Sequence, residues 1–150
     1  MSFPKLNLLI VENNRFLANV LQQTLATEFS ITVAANGFEA MALLERGLSV
    51  DFLITDLKLP KFDGLELTRL IRNSIRYQTL PILMLSDSED SGARIDCLES
   101  GADDCMPKPF NPFEVQAKIR AMLRRSGSHF PRAASVSSHF FPGLYSLNLN

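Results

Sequence analysis

Short apolar runs alternate with amphipathic segments along residues 1–125, and this alternation restricts the chain to few folds. The amphipathic segments repeat apolar residues at spacings of three and four, as helices do, and turn residues bound each run. Parallel strands joined by crossover helices produce this pattern, so the sequence predicts a doubly wound α/β domain with five strands and five helices. The predicted strands are 6–11, 30–34, 51–55, 81–85 and 104–106, and the predicted helices are 15–28, 38–46, 65–72, 89–100 and 112–125.

Capping residues support three of these helix starts. Asn111 is followed by Pro112 and Glu114, which is a capping-box arrangement with proline at the first helical position. Asp63 and Ser88 precede two other predicted helices and are candidate caps.

Composition and charge exclude several classes of protein. Fifteen basic and sixteen acidic residues leave a formal charge of -1, so no strong field would attract nucleic acid or an anionic membrane. No apolar stretch approaches the roughly 18 residues of a membrane span or forms a signal-peptide core. Cys97 and Cys105 have neither a disulfide nor a metal spacing, so we expect packed thiols in a reducing, cytoplasmic compartment.

The composition changes after residue 125. Residues 126–140 are rich in serine and lack helical periodicity, which predicts a linker. Alternation returns at 144–149, which predicts a strand of either a folded-back tail or a second domain. His129 and His139 lie in this tail, and we do not expect them to bind a metal, because a site needs more donors.

Polar side chains follow the predicted strands where these end. Glu12 and Asn13 follow the first strand, Asp56 the third and Ser86 the fourth, and Lys108 lies two residues past the fifth. Each alone has an ordinary explanation as a helix cap, a turn residue or a solvated lysine. Asp56, however, is too far from the next helix to cap it. The carboxyl ends of parallel strands share one edge, where ligands bind, so we expect the five side chains to converge.

This set of side chains suits transfer of a phosphoryl group to a carboxylate. Asp56 would be the nucleophile, and a cation would have to offset its charge and that of the phosphoryl group. Glu12, Asn13 and Asp56 could supply oxygen ligands to Mg²⁺, which also keeps several waters. Lys108 would neutralise one phosphoryl oxygen, and the Ser86 hydroxyl would hydrogen-bond another.

Five stretches resemble the receiver domain of bacterial two-component response regulators over about residues 5 to 125. They are LLIVEN at 8–13, AANGFEA at 34–40, LITDLKLPKFDGLEL at 53–67, PILMLS at 81–86 and GADDCMPKPF at 101–110. The GADD, KPF and LRR motifs resemble in particular the OmpR/PhoB type, in which a winged-helix DNA-binding domain follows the receiver. FPGLYSLNLN at 141–150 would then be the first strand of such an effector domain.

The resemblance implies a flavodoxin-like (CheY-like) strand order of 2-1-3-4-5 and a role for each strand-end residue. Asp56 would accept a phosphoryl group from a sensor histidine kinase, and Ser86 would be the switch hydroxyl. Lys108 would precede a cis bond to proline, and Glu12 and Asn13 would be the pair that binds Mg²⁺. Such a domain is a phosphoacceptor rather than an enzyme, with at most weak self-phosphorylation and autodephosphorylation.

Three residues depart from the family pattern. Asn13 stands where an aspartate is usual, which should weaken Mg²⁺ binding and also remove a repulsion beside Asp56. Asp87 stands where a small residue is common, so it would crowd the site or return the lost charge. Cys105 replaces the aromatic residue whose ring moves during signalling, which puts relay by that ring in doubt.

The resemblance also implies an output face formed by the fourth helix, fifth strand and fifth helix. In OmpR/PhoB-type receivers this face forms homodimers on activation through charged pairs, and DNA is bound only by the effector domain. An equally good explanation of these charges is a solvated face with internal salt bridges. The candidate residues are Arg94, Asp103, Asp104, Glu114, Lys118 and Arg120.

Other functions fit the sequence less well or remain open. The main alternative is a pseudo-receiver, a protein-interaction module that works without phosphorylation, as Asn13, Asp87 and Cys105 together allow. A haloacid-dehalogenase-type phosphatase would need an aspartate two residues after its nucleophile, where this chain has Lys58. A flavodoxin-type flavin binder would need a phosphate loop after the first strand, where Glu12 would repel the phosphate.

Overall fold

The computed structural model describes residues 4–127, which form alternating strands and helices. The elements are β1 (Leu6–Val11), α1 (Arg15–Leu25), β2 (Phe29–Ala34), α2 (Gly37–Glu45), β3 (Phe52–Asp56), α3 (Gly64–Arg72), β4 (Ile82–Ser86), α4 (Ser91–Ser100), β5 (Asp104–Pro107) and α5 (Pro112–Ser126). The predicted linker and tail strand, with His129 and His139, lie outside the described residues. In the described part of the chain, no helix is long and apolar enough to cross a membrane.

The five strands form one parallel sheet in the order β2-β1-β3-β4-β5. This confirms the predicted fold class and strand order. Every residue of the central strands β3 and β4 is buried, because helices cover both faces of the sheet. β3 lies between β1 and β4, so the loops that follow those two strands flank the end of β3.

Apolar side chains on each face of the sheet form a separate core. Leu8 and Ile10 of β1 pack with α1 and α5 on one face. Leu9 and Val11 point to the other face, where they join the core that includes α2, α3 and α4. Because side chains alternate along a strand, the continuous apolar run LLIV supplies both cores and fixes the register of β1.

Most of the helix starts follow from their caps. Asp63 Oδ1 accepts a hydrogen bond from the Glu66 amide at 2.9 Å, and Asn111 Oδ1 accepts one from the Phe113 amide at 2.9 Å, as predicted. The prediction for α4 was wrong, because Asp90 rather than Ser88 is its N-cap and accepts from the Gly92 amide at 2.6 Å. Ser88 instead hydrogen-bonds Ser86, so α4 begins at Ser91.

Several further boundaries differ from the predicted ones. α1 ends at Leu25 instead of 28, and the Glu28 carboxylate reaches across to Arg120 and Gln116 on α5. The strands β3 and β4 each end one residue later than predicted, so Asp56 and Ser86 are the last residues of their strands. Both are therefore held by the sheet, opposite Leu85 and Pro107 respectively.

Candidate functional site

Asp56, Lys108 and Glu12 meet at the carboxyl edge of the sheet. The Lys108 ammonium lies 2.8 Å from Asp56 Oδ1 and 3.1 Å from Glu12 Oε1. Asp56 is 6% exposed and Glu12 is 3% exposed, so water screens these charges poorly. The structure thus brings together three of the five predicted site residues, with one cation between two buried carboxylates.

The two oxygens of the Glu12 carboxylate have different surroundings. Its Oε2 accepts a hydrogen bond at 3.0 Å from the backbone amide of Asn14, whose side chain caps α1. Its Oε1 is buried and accepts no hydrogen bond within residues 4–127, although the Lys108 ammonium is close. The N-cap of α1 is therefore Asn14 and not the neighbouring Asn13.

Burial and neighbouring charges shift the pKa values of both Asp56 and Lys108. Burial raises the pKa of Asp56 to about 7, and the nearby Glu12 charge adds to this rise while the hydrogen bond from Lys108 opposes it. Burial lowers the pKa of Lys108, but its hydrogen bond and attraction to Asp56, together with Glu12, outweigh burial and raise it overall. Near neutral pH Lys108 is therefore charged, and Asp56 exists in both protonation states.

Asn13 and Ser86 lie at the same edge of the sheet but do not join this group in the described structure. Asn13 is exposed, and its side-chain nitrogen donates a long 3.5 Å hydrogen bond to the Ala35 carbonyl. The Ser86 hydroxyl donates to the Ser88 carbonyl and accepts from the Ser88 amide, both at 3.1 Å. The Ser86 hydroxyl thus hydrogen-bonds to the backbone of the loop that follows β4.

The other two departures from the family pattern have different surroundings. Asp87 is exposed beside Lys108, and the two line the same groove. Cys105 is buried in the core against Cys97, and burial, followed by the neighbouring Cys105 thiol, raises the pKa of Cys97 to about 12. Both cysteines are packed free thiols, as predicted.

Backbone features around the site explain part of its geometry. The Lys108–Pro109 bond is cis, as the resemblance implied, and the Lys108 amide donates to the Ser86 carbonyl at 2.7 Å. Gly64 is a site-supporting residue that sequence reasoning missed, because a Cβ there would lie 2.2 Å from the Asp56 carbonyl oxygen. Asp63 before Gly64 predicts a helix start, and the structure shows that glycine also permits this close approach.

Five of the six predicted output-face charges form ion pairs within the chain. Asp104 pairs with Lys118 at 2.8 Å and with Arg94 at 3.6 Å, and Arg94 also donates to the Cys105 carbonyl. Burial alone would raise the pKa of Asp104, but the hydrogen bonds from Lys118 and the Cys105 amide hold it below its usual value. Asp103 pairs with Arg72, Arg120 pairs with Glu28, and Glu114 is exposed.

The residues at the sheet edge fit Mg²⁺ by their chemistry. Glu12 and Asp56 offer carboxylate oxygens, Asn13 offers an amide oxygen, and the buried Glu12 Oε1 still lacks a hydrogen-bond donor within residues 4–127. Across that same part of the chain, no three histidine, cysteine or carboxylate side chains are grouped so as to hold a metal ion. An ion would therefore depend on the amide and on water for its remaining ligands.

Comparison with known proteins places this geometry in a family. The family model for the response regulator receiver domain matches residues 8–120. The transcriptional regulatory protein CpxR of Klebsiella pneumoniae is 42% identical over 120 residues, which cover 79% of this chain and 50% of CpxR. The chain thus spans about half the length of this curated relative.

Solved structures agree with the family match. A putative response regulator from Chloroflexus aurantiacus is 36% identical, with a TM-score of 0.76 over 81% of this chain and 100% of its own. The receiver domain of the Pseudomonas aeruginosa sensor histidine kinase PA1611, solved with magnesium in its active-site cleft, is 31% identical, with a TM-score of 0.71 over 81% and 97% of the two chains.

A third solved structure shows a receiver with a partner. The Saccharomyces cerevisiae complex of the phosphotransfer protein Ypd1 with the receiver domain of Ssk1 matches at 29% identity and a TM-score of 0.71, over 79% of this chain and 89% of that chain. Sequence family, strand order and strand-end geometry all agree. This chain belongs to the response regulator receiver domain family.

Proposed function

We propose that Asp56 accepts a phosphoryl group from a histidine kinase or a histidine phosphotransfer protein. The observation that carries the proposal is the 2.8 Å pair between Asp56 and Lys108 at the carboxyl edge of the sheet, beside the buried carboxylate of Glu12. A cation fixed against a buried nucleophile neutralises charge where an anionic phosphoryl group arrives. The domain acts as a phosphoacceptor rather than as an enzyme with turnover, with at most slow self-phosphorylation and autodephosphorylation.

The transfer uses residues of this chain in defined roles. A carboxylate oxygen of Asp56 attacks phosphorus, the phosphorus–nitrogen bond of phosphohistidine breaks, and its electron pair returns to the imidazole. Lys108 then faces a phosphoryl oxygen instead of a bare carboxylate. Mg²⁺, held by Glu12, Asp56 and Asn13, would offset the remaining negative charge. Because the pKa of Asp56 is about 7, the nucleophilic form increases as pH rises through neutrality.

The response to phosphorylation would start at Ser86. In the unphosphorylated domain the Ser86 hydroxyl donates a hydrogen bond to the Ser88 carbonyl. We propose that it turns to a phosphoryl oxygen once Asp56 is phosphorylated. That turn would release the Ser88 backbone and shift the loop that leads to α4. Arg94 of α4 is tied to β5 through Asp104 and the Cys105 carbonyl, so the shift would reach the output face without an aromatic ring at position 105.

The partners follow from the family and from the length of the chain. The Ypd1–Ssk1 complex provides a precedent for a receiver with a phosphotransfer protein. Because CpxR, a transcriptional regulator, is about twice as long as the matched segment, we propose a cytoplasmic transcription regulator in which an effector domain beyond this segment binds DNA. Homodimerisation through α4, β5 and α5 would then require the Asp104 pairs to be shared or exchanged between two copies.

Intact mass tests the phosphoacceptor role. The protein is incubated with acetyl phosphate, with and without Mg²⁺, beside an Asp56→Asn control. We expect the mass of one phosphoryl group to be gained only when both Asp56 and Mg²⁺ are present. An unchanged mass under conditions that modify an ordinary receiver would refute the proposal.

A second candidate, a pseudo-receiver that acts by binding alone, is favoured by one observation. Lys108 already forms ion pairs with both Glu12 and Asp56 without a metal ion, and Asn13 lies exposed with its amide nitrogen near the Ala35 carbonyl. A site of this kind could be stable without Mg²⁺ or a phosphoryl group. It predicts that Mg²⁺ up to about 10 mM, a range typical for weak oxygen-ligand sites, leaves the melting temperature unchanged.

A further inference from the structure

An open groove of about 580 Å³ includes Lys108, the ion-pair partner of Asp56, in its lining. Apolar side chains of α1 and of the segment after β5 line most of it, including Phe16, Leu17, Phe110 and Pro112. In the described part of the chain, the charged residues that line the groove are Asp87 and Lys108. A backbone hydrogen bond holds the two segments together, because the Lys108 amide donates to the carbonyl of Ser86, the residue before Asp87.

Lys108 and Asp87 differ in whether their charge is neutralised. The Lys108 ammonium is engaged with Asp56 and Glu12. Asp87 is exposed, and no lysine or arginine within residues 4–127 forms an ion pair with it. The groove therefore presents an uncompensated negative charge next to the cation that a phosphoryl group must reach.

The strand order places Asp87 on a loop beside the end of β3, where Asp56 lies. Asp56 ends β3, and β3 lies between β1 and β4, so the loops after β1 and β4 flank the nucleophile. The first loop contributes the neutral amide of Asn13, and the second contributes the carboxylate of Asp87. Asp56 is only 6% exposed, so a donor that approaches between these two loops would pass the carboxylate of Asp87 on one side.

We propose that Asp87 is a selectivity residue that slows phosphorylation of Asp56 by small dianionic phosphodonors. The proposal rests on the phosphoacceptor function proposed above. A unit charge repels a dianion more than a monoanion, and the repulsion weakens with salt. A protein phosphodonor that brings a cationic side chain to Asp87 would escape this repulsion, whereas a small donor in solution would not.

Two small donors with different charges isolate the effect. With acetyl phosphate, a dianion, Asp56 attacks phosphorus, the bond from phosphorus to the acetyl oxygen breaks, and acetate leaves with the electron pair. With phosphoramidate, a zwitterion of charge minus one, the phosphorus–nitrogen bond breaks and ammonia leaves. The product on Asp56 is the same aspartyl phosphate, so only the charge and the leaving group of the donor differ.

The experiment compares phosphorylation rates of the wild-type chain and of Asp87→Asn by intact mass at saturating Mg²⁺. For a dianion about 7 Å from Asp87 in a water-like dielectric, the variant should react about fivefold faster with acetyl phosphate at an ionic strength of roughly 0.01 M, where screening over this distance is weak. The gain should fall to about twofold with phosphoramidate, and should shrink similarly for acetyl phosphate in roughly 0.5 M salt. Glu89→Gln, which removes an exposed charge from the same loop outside the groove, should react like the wild type.

Several outcomes would overturn the selectivity role. Asp87→Asn could react no faster than the wild type, or Glu89→Gln could gain as much, which would indicate a general field. An equal gain with both donors at all salt concentrations, or a gain with Asp87→Ala but not with Asp87→Asn, would indicate crowding instead of charge. If neither the wild type nor Asp87→Asn gains a phosphoryl group that Asp56→Asn lacks, the phosphoacceptor function fails as well, which distinguishes the two failures.

Discussion

Replacing Asp56 with asparagine should stabilise the fold, and the gain should depend on pH in a specific way. The folded pKa of Asp56 is raised from 3.8 to about 7, so the folded domain holds this proton more tightly than the unfolded chain does. Ionised Asp56 therefore costs stability. The cost is absent below the unfolded pKa, grows as pH rises from 3.8 to 7, and is complete above the folded pKa.

The magnitude follows from the two pKa values. At about 1.36 kcal/mol for each pKa unit, ionisation of Asp56 costs about 4 kcal/mol above pH 7, about 2 kcal/mol at pH 5 and almost nothing below pH 3.5. Asparagine has nearly the same shape as the protonated acid and can still accept from Lys108. We therefore expect Asp56→Asn to raise the free energy of unfolding by about these amounts at the corresponding pH values.

Urea denaturation from pH 4 to pH 8, with EDTA present to remove divalent ions, measures this difference. Asp96→Asn makes the same chemical change at an exposed position of α4 and serves as the control, for which we expect little change in stability. A gain for Asp56→Asn that does not grow between pH 4 and pH 7 would refute the reasoning, as would a loss of stability at pH 8.

Three other substitutions test interactions of buried groups by the same assay. Lys108→Met should lower the free energy of unfolding by about 3 kcal/mol at pH 8, because it leaves Glu12 and Asp56 as unpaired buried carboxylates. The loss should be smaller at pH 5, and an equal loss at both pH values would contradict this. Gly64→Ala should cost about 3 kcal/mol, since its Cβ would overlap the Asp56 carbonyl oxygen, and a neutral result would show that α3 can shift. Thr68→Val should add about 1 kcal/mol by removing a buried hydroxyl that has no hydrogen-bond partner within residues 4–127, and a destabilised variant would point to an undetected partner.

The fold could be predicted from the sequence because each level of pattern agrees. Apolar runs such as LLIV serve two cores at once, and Asp63 and Asn111 cap the helices that follow them. The start of α4 could not be predicted, because Ser88 and Asp90 both have capping side chains. The choice between them depends on the hydrogen bonds from Ser88 to Ser86, which bridge the end of β4.

The sequence predicts which residues lie at the site, but it does not predict which way their side chains point. The convergence of Glu12, Asp56 and Lys108 follows from the parallel sheet, in which strand ends share an edge. Rotamers of Asn13 and Ser86 depend on local competition between loop and site, which residue type and spacing do not determine. The support that Gly64 gives to the Asp56 backbone is likewise a tertiary contact without a signal of its own in the sequence.

Chemical trapping of the phosphorylated residue tests the central claim most directly. Borohydride reduces an acyl phosphate to an alcohol, so treatment of the acetyl phosphate-treated protein would convert a phosphorylated aspartate to homoserine. Peptide mass spectrometry then locates the converted position. We predict homoserine at position 56 alone, and only in samples that contained Mg²⁺. Aspartate retained at 56, or homoserine at another acidic position such as Asp87, would contradict the assignment of Asp56 as the phosphoacceptor.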